Sequence, residues 1–383
     1  MKISIIGGGR WARTIATELC SLPNRTDGVV IHTKNNAAGV AAWIEGLRLG
    51  DRLRVATAWP DFSSTQDRPD AVIVANRVRD HIAGALAALR AGVAAMVEKP
   101  IALPQNKIAS LIETAEVNAA LLAGSNVFLF ARYFEAFAGL ITTLGRLHSL
   151  SFTWADGQDE LHRDEVKSYD AGVTLFDDVL PHIVPMLGSL KFGDPSLRAV
   201  AIRRGGAEIT IEVRSDESSA TLNLARDASG RQRLIEIETD GGTAALDFSN
   251  EPGFIRAPGF ARNGDPLWDS APRPLAAMLT AFLAAVEGQP LDIRLSPAHA
   301  MATGILADAV RGRYVAHQIQ WLEQRLGEPL DAHLRYALRE LVADNGGRSP
   351  ETIADMWSAM DTVSRLKSYL SRGLLLSETG YAV

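Results

Sequence analysis

Two short segments of this chain carry residue types arranged for chemistry. One is Val97-Glu98-Lys99-Pro100, which closes the apolar run Ala94-Ala95-Met96-Val97. A lysine held by proline at the end of a parallel strand can give or take a proton beside a bound substrate. The other is Gly7-Gly8-Gly9-Arg10-Trp11-Ala12, directly after Lys2-Ile3-Ser4-Ile5-Ile6. A glycine turn between a strand and a helix lets backbone N–H groups approach a pyrophosphate. Proton transfer beside a dinucleotide implies hydride chemistry with a nicotinamide cofactor.

Both segments need a sheet to hold them. Over residues 1–123, short apolar runs alternate with amphipathic stretches: Val29-Val30-Ile31, Leu53-Arg54-Val55, Ala71–Ala75, Ala94–Val97 and Leu121–Ala123. The alternation predicts an α/β domain with a doubly wound parallel sheet, whose ligands lie at the carboxyl ends of the strands. The glycine turn and Lys99 both fall there. Gly7 and Gly9 take the first two places of the dinucleotide fingerprint and Ala12 the third. Arg10 and Trp11, opening the next helix, join the expected cofactor-binding set.

Residues 124–317 follow a different pattern. Strand-like runs at 146–156, Ala199–Arg203, Glu208–Arg214, Ser219–Arg226, Leu234–Thr239 and Ala244–Phe248 are joined by turns such as Asp240-Gly241-Gly242. They predict an α+β domain with a large, mostly antiparallel sheet, one face of which is open for helices or a second subunit to cover. Residues 274–290 and 296–312 read as amphipathic helices. Residues 318–383 read as a helical C-terminal extension, with an apolar stripe of Leu334, Ala337, Leu338, Leu341 and Val342.

The 383 residues exceed what one core usually serves, so more than one domain is expected. With a net charge of −6 and no basic tract, neither nucleic acid nor an anionic membrane is an expected partner. The single cysteine, Cys20, excludes an internal disulfide and a cysteine-built metal site. The histidines are scattered, so no metal is expected. No Gly-x-Ser-x-Gly elbow occurs, which argues against a serine hydrolase. The chain opens on a strand and holds no apolar run of membrane length, so a cytoplasmic location is expected.

The end of the second strand bears on cofactor choice. NAD enzymes usually place Asp or Glu there, on the adenosine ribose. Here the residues are Ile31-His32-Thr33-Lys34-Asn35, with no acid. Thr33, Lys34 and Arg10 are suited to the extra phosphate of NADP, so NADP is expected in preference to NAD.

Over its first 315 or so residues the chain resembles the glucose–fructose oxidoreductase and inositol dehydrogenase family (Gfo/Idh/MocA). The matching stretch is Pro69-Asp70-Ala71-Val72-Ile73-Val74-Ala75, then His81, then Ala88-Leu89-Arg90-Ala91-Gly92, then Glu98-Lys99-Pro100. The resemblance implies a Rossmann domain followed by an open-faced mixed sheet, and a homodimer or homotetramer formed through that sheet. It also implies an Asp-x-x-x-His motif, matched here by Asp178 and His182. Asp177 stands beside Asp178 as a second candidate for the aspartate. Residues four apart share a helix face, so the carboxylate is placed to orient the imidazole or bind a substrate hydroxyl. Lys99 or His182 would act as general acid and Glu98 would pair with a neighbour or contact the cofactor. The Lys99–Pro100 bond is one that is often cis in the family.

This chain departs from the family pattern in three places. Asn76 stands where proline is usual after the fourth strand, and is expected on the nicotinamide ribose. Pro181 precedes His182 inside a helix, and the usual glycine between Asp and His is missing. His81 is expected near the ribose or packed under its helix. Arg132, Tyr133 and Trp154 are expected to line the substrate cleft, with Asp156 and Gln158 beyond them. The implied activity is hydride transfer between nicotinamide and a small polar carbonyl or hydroxyl compound: a sugar, cyclitol or derivative. Reduction of a C=N bond or a biliverdin-type substrate, and a non-catalytic nucleotide-binding regulator, stand as alternatives.

Overall fold

The first apolar runs become six strands: β1 (Lys2–Ile6), β2 (Gly28–His32), β3 (Leu53–Ala56), β4 (Ala71–Val74), β5 (Ala94–Val97) and β6 (Leu122–Gly124). The protein is seen as a computed structural model describing residues 1–23, 26–47, 52–64, 66–157, 161–162, 165–166, 173–203, 207–326 and 329. The strands pair in the order β3-β2-β1-β4-β5-β6, all parallel. Every residue of β4 is buried, as expected for a strand covered on both faces. Helices α1 (Arg10–Ser21), α2 (Ala37–Leu47), α3 (Val78–Arg90) and α4 (Gln105–Val117) flank the sheet. Strand order reverses between β1 and β4. The crevice beyond the carboxyl ends of these two strands is where such sheets bind ligands.

A short 3₁₀ turn, Val127–Phe130, leads into the second domain. There follow α5 (Arg132–Leu144), β7 (Leu147–Gly157), β8 (Leu161–His162), β9 (Glu165–Val166) and α6 (Leu175–Ser189). Next come β10 (Ser196–Arg203), β11 (Glu208–Arg214), β12 (Ser219–Ala228), β13 (Gln232–Thr239), β14 (Gly242–Asp247), β15 (Phe254–Ala257) and β16 (Phe260–Asn263). The eight-stranded sheet runs β10-β11-β12-β7-β13-β14-β15-β16 and is antiparallel except where β12 lies parallel to β7. Period-two alternation sets its faces: β7 buries Leu150, Phe152 and Trp154 and turns Ser149, Ser151 and Thr153 outward. The outward face is polar, with Ser149 donating to Glu238 at 2.9 Å and Thr210 to Asn223 at 3.2 Å.

The structure differs from the sequence expectation in three details. β15 and β16 are short and largely exposed, so they lack the alternation that marks a strand. The helix expected over 274–290 is α7 (Pro274–Val286), stopped by Gly288 at φ +96°. The last described helix, α8 (Ala298–Leu326), runs through the boundary expected at 317/318. The rest of the expected extension, with its Leu334–Val342 stripe, lies outside the described residues.

α8 joins the two domains. Its Gly304 lies so near α4 that a Cβ there would sit 3.0 Å from Ile108 Cδ1. Asp308 accepts from the Gln105 N–H at 3.2 Å, and Arg311 pairs with Asp177 of α6 at 2.6 Å. The loop carrying Lys99 is thereby held against the helix carrying Asp178.

Candidate active site

The turn after β1 provides a cradle. Gly7 has φ +137°, and a Cβ on it would lie 2.4 Å from the Ala75 carbonyl oxygen. Only glycine fits, because both the backbone angle and the close approach forbid a side chain. A Cβ on Gly8 would lie 2.5 Å from Thr33 Oγ1, and the Gly8 carbonyl accepts from Asn36 Nδ2 at 2.8 Å. Gly9 differs: it is exposed, and no atom lies within 4 Å of its would-be Cβ. It is the N-cap of α1 and carries no side-chain cap, so the first N–H groups of that helix face open space. Ala12, fully buried, lets α1 pack on the sheet. Thr33 is half-buried beside Gly8 and Lys34 is exposed. Neither Lys34 nor Arg10 forms an ion pair among the described residues. Beyond β4, the Asn76 Oδ1 atom is buried with no hydrogen-bond partner. An open glycine, unpaired cations and an orphaned amide oxygen fit a bound dinucleotide.

Across the crevice the Lys99–Pro100 peptide is cis. Lys99 Nζ lies 2.6 Å from Asp178 Oδ1 and donates to the Asp178 carbonyl at 3.2 Å. Both side chains keep 25% exposure, so the pair is reachable from the cleft. Asp177 turns the other way. It is fully buried, accepts from Thr174 Oγ1 at 2.8 Å, and binds Arg311. Asp178, then, is the carboxylate at the lysine and Asp177 belongs to the joint with α8. Burial raises the Asp177 carboxyl above its ordinary value, against the pull of Arg311.

His182 lies one turn further along α6, which continues through Pro181 and Pro185. Its ring stacks on Trp154 at 5.0 Å and 13°, and meets Phe128 edge-on at 4.9 Å. The Arg233 guanidinium lies over the Trp154 ring, 3.9 Å from its centroid, and forms a buried ion pair with Asp156. Trp154 was expected as a cleft wall; the structure places it as the plate on which His182 rests.

Several expected site residues are used elsewhere. Arg132 pairs with Asp265 at 2.7 Å and donates to the Pro272 carbonyl at 2.6 Å. Tyr133 is fully buried; its hydroxyl donates to Glu251 at 2.8 Å, and burial pushes its ionisation well up. Both hold loops of the second domain. His81, also buried, lies between the Pro100 and Asn76 carbonyls at 2.9 and 3.1 Å. It braces the loops after β5 and β4. Gln158 lies outside the described residues.

Arg226 and Arg233 were not anticipated. Each occupies an inward position of an alternating strand: Arg226 follows Ala220, Leu222 and Leu224, and Arg233 precedes Ile235 and Ile237. A charge in a core register was the available signal.

Glu98 sits behind Lys99 at 6% exposure, accepting from Ser125 Oγ at 2.6 Å. Burial raises its carboxyl above 4.5, with Ser125, the Trp11 indole and Lys99 acting in the opposite sense. A raised folded-state value means the folded chain holds this proton more tightly than the unfolded chain does. Its stabilising contribution is full below pH 4.5 and is lost as pH rises through the raised value. Glu98→Gln is therefore expected to flatten the decline in melting temperature between pH 4.5 and neutrality. Thermal melts across that range check this; identical slopes in both proteins would remove Glu98 as the cause.

Among the described residues, no group of three or more His, Cys, Asp or Glu side chains gathers around a metal position, and no helix is long and apolar enough to cross a membrane.

A parallel sheet with a glycine cradle, joined to an open mixed sheet with a lysine–aspartate pair at the crevice, defines a two-domain dinucleotide-binding oxidoreductase. Residues 1–124 match the model of the Gfo/Idh/MocA oxidoreductases, described as an oxidoreductase family with an NAD-binding Rossmann fold. The first domain is thus similar to the NAD-binding domain of that family. The fold of both domains recurs in solved structures. KijD10, a 3-ketoreductase from Actinomadura kijaniata solved with NADP and TDP-benzene, matches with TM-score 0.66 and 16% identity, covering 82% of this chain and 97% of its own. UDP-N-acetylglucosamine 3-dehydrogenase GnnA from Acidithiobacillus ferrooxidans matches with TM-score 0.63 and 21% identity, covering 81% and 96%. No curated protein matches the sequence.

Proposed function

We propose that the protein is an NADP-preferring oxidoreductase acting on a sugar, cyclitol or similar small polar compound, at a carbonyl or hydroxyl carbon. The observation that carries this is the Lys99–Asp178 pair, a quarter exposed at the carboxyl ends of the parallel strands, across the crevice from an open glycine cradle. Nicotinamide, when bound, supplies or takes the hydride. The chain's own residues do the rest. Gly9 and the start of α1 are suited to the pyrophosphate, Asn76 to the ribose, and Arg10, Thr33 and Lys34 to the extra phosphate.

In reduction, Lys99 Nζ gives its proton to the substrate oxygen as that oxygen gains charge; in oxidation it takes the proton back. Asp178 holds the ammonium in place. His182, fixed by Trp154 and Phe128, is the second group suited to a substrate hydroxyl. The sugar nucleotide on which GnnA acts, UDP-N-acetylglucosamine, supports the sugar class, and the thymidine diphosphate compound bound to KijD10 is in keeping with it. The open face of the second sheet is the proposed surface for self-association.

The test is NADPH oxidation on a panel of ketosugars, keto acids and imines. Turnover of a carbonyl sugar is expected. Preference for an imine would move the activity to C=N bonds. Tight NADPH binding with no turnover of any class would favour a nucleotide-binding regulator. Lys34→Ala is expected to weaken NADPH by roughly five- to tenfold, the scale of one lost charge-assisted contact, and to leave NADH unchanged. Titration calorimetry reads both, and equal losses would withdraw the phosphate assignment.

A further inference from the structure

β12 faces the core with Ala220, Leu222 and Leu224, and its next inward residue is Arg226. Another leucine there would continue the strand at no electrostatic cost. A guanidinium at 3% exposure instead requires partners to offset its desolvation. Its pairing with β7 shifts register between Ala225 and Ala228. Still on the inward face, the guanidinium reaches the start of α6. Nη2 lies 3.5 Å from Asp178 Oδ2, and Nη1 and Nη2 approach the Val173 carbonyl at 3.5 and 3.4 Å. The two oxygens of one carboxylate thus face two cations, Arg226 on one side and Lys99 at 2.6 Å on the other.

We propose that Arg226 is the positioning residue for Lys99, acting through Asp178. It holds the carboxylate so that Oδ1 presents to the ammonium. It also shares the carboxylate's charge with Lys99. The proposal rests on Lys99 being the proton donor of the reaction above.

Among the described residues, the charges placed around Lys99 are few. Glu98 lies on its own loop, buried against Ser125. From α6 come Asp178 and, one turn on, His182, while Asp177 is drawn off to Arg311 of α8. Arg226 comes from β12. Removing Arg226 leaves Lys99 opposite an undivided carboxylate and removes a nearby positive charge. Both changes make its proton harder to lose.

The test is the titration of Lys99 in the full chain with no substrate present. It is read by NMR from a ¹³C-dimethyl-lysine signal that disappears in Lys99→Arg. In Arg226→Gln the midpoint is expected to rise by about one pH unit, as loss of a neighbouring charge requires. In Arg226→Lys, which keeps the charge, it is expected to stay within about 0.3 unit of the parent. Where a substrate is in hand, Arg226→Gln is also expected to lower kcat by roughly ten- to a hundredfold through misplacement of Lys99, with its basic limb moved the same way. An unchanged or lowered midpoint in Arg226→Gln overturns the proposal. If that variant does not fold, a midpoint raised by a full unit in Arg226→Lys overturns it. The titration is read without turnover, so a parent enzyme inactive on every sugar would defeat the functional proposal and leave the midpoint comparison to decide on Arg226 alone.

Discussion

Lys99→Met is expected to cut turnover by roughly 10²–10⁴-fold, the range that a positioned general acid or base supplies. Methionine keeps the unbranched reach of the side chain and removes only the ammonium. The Lys99 ammonium is 2.6 Å from Asp178 and 25% exposed, so it reaches the cleft as well as its counter-ion. The stability cost should stay within about 1 kcal/mol, because the pair is partly solvated and Asp178 keeps Arg226. NADPH affinity should change by less than about threefold, since the pyrophosphate cradle lies on the opposite side of the crevice. Stopped-flow rates, thermal melts and calorimetry separate these three quantities. Undiminished turnover would exclude Lys99 from proton transfer; a collapse in melting temperature would make it a structural lysine.

The glycine turn gives the second large effect, as a contrast between neighbours. In Gly7→Ala the new Cβ would meet the Ala75 carbonyl at 2.4 Å on a backbone at φ +137°. The expected loss is about 3 kcal/mol, from the strained angle and the clash together, and is visible as a lower melting temperature without cofactor. Gly9 adopts φ −76°, ψ 177°, open to any residue, and a Cβ there meets nothing within 4 Å. Gly9→Val should therefore melt within about 0.5 kcal/mol of the parent, as surface substitutions usually do. Yet it should weaken NADPH by roughly 10²-fold or more, about 2.7 kcal/mol, because the branched side chain fills the space left for the pyrophosphate. Normal NADPH binding by Gly9→Val would take the pyrophosphate away from this turn.

Much of the positioning framework is legible in the sequence. The runs at Ala71–Val74 and Ala94–Val97 are short and apolar on both faces, which only a covered parallel sheet can use. The strand at Glu208–Arg214 reads correctly to the residue because its alternation is strict. Local pattern fails where the chain is short and exposed, as in β15 and β16, or where a helix outlasts its expected stop, as in α8. It fails more seriously for polar residues. Arg132 and Tyr133 follow the domain crossover, yet Asp265 and Glu251, far along the chain, engage their polar groups.

The sequence by itself determined the parallel sheet, the glycine turn and the place of Lys99 at a strand end. These follow from side-chain period, backbone angle and a proline, all local properties. Only the tertiary structure decided which carboxylate meets the lysine. Helical spacing pairs Asp178 with His182. Folding instead brings Asp178 to Lys99 from 79 positions away and to Arg226 from 48, and stacks His182 on Trp154. Ion pairs and ring contacts depend on distance in space, and spacing along a chain does not encode that distance between residues on separate elements.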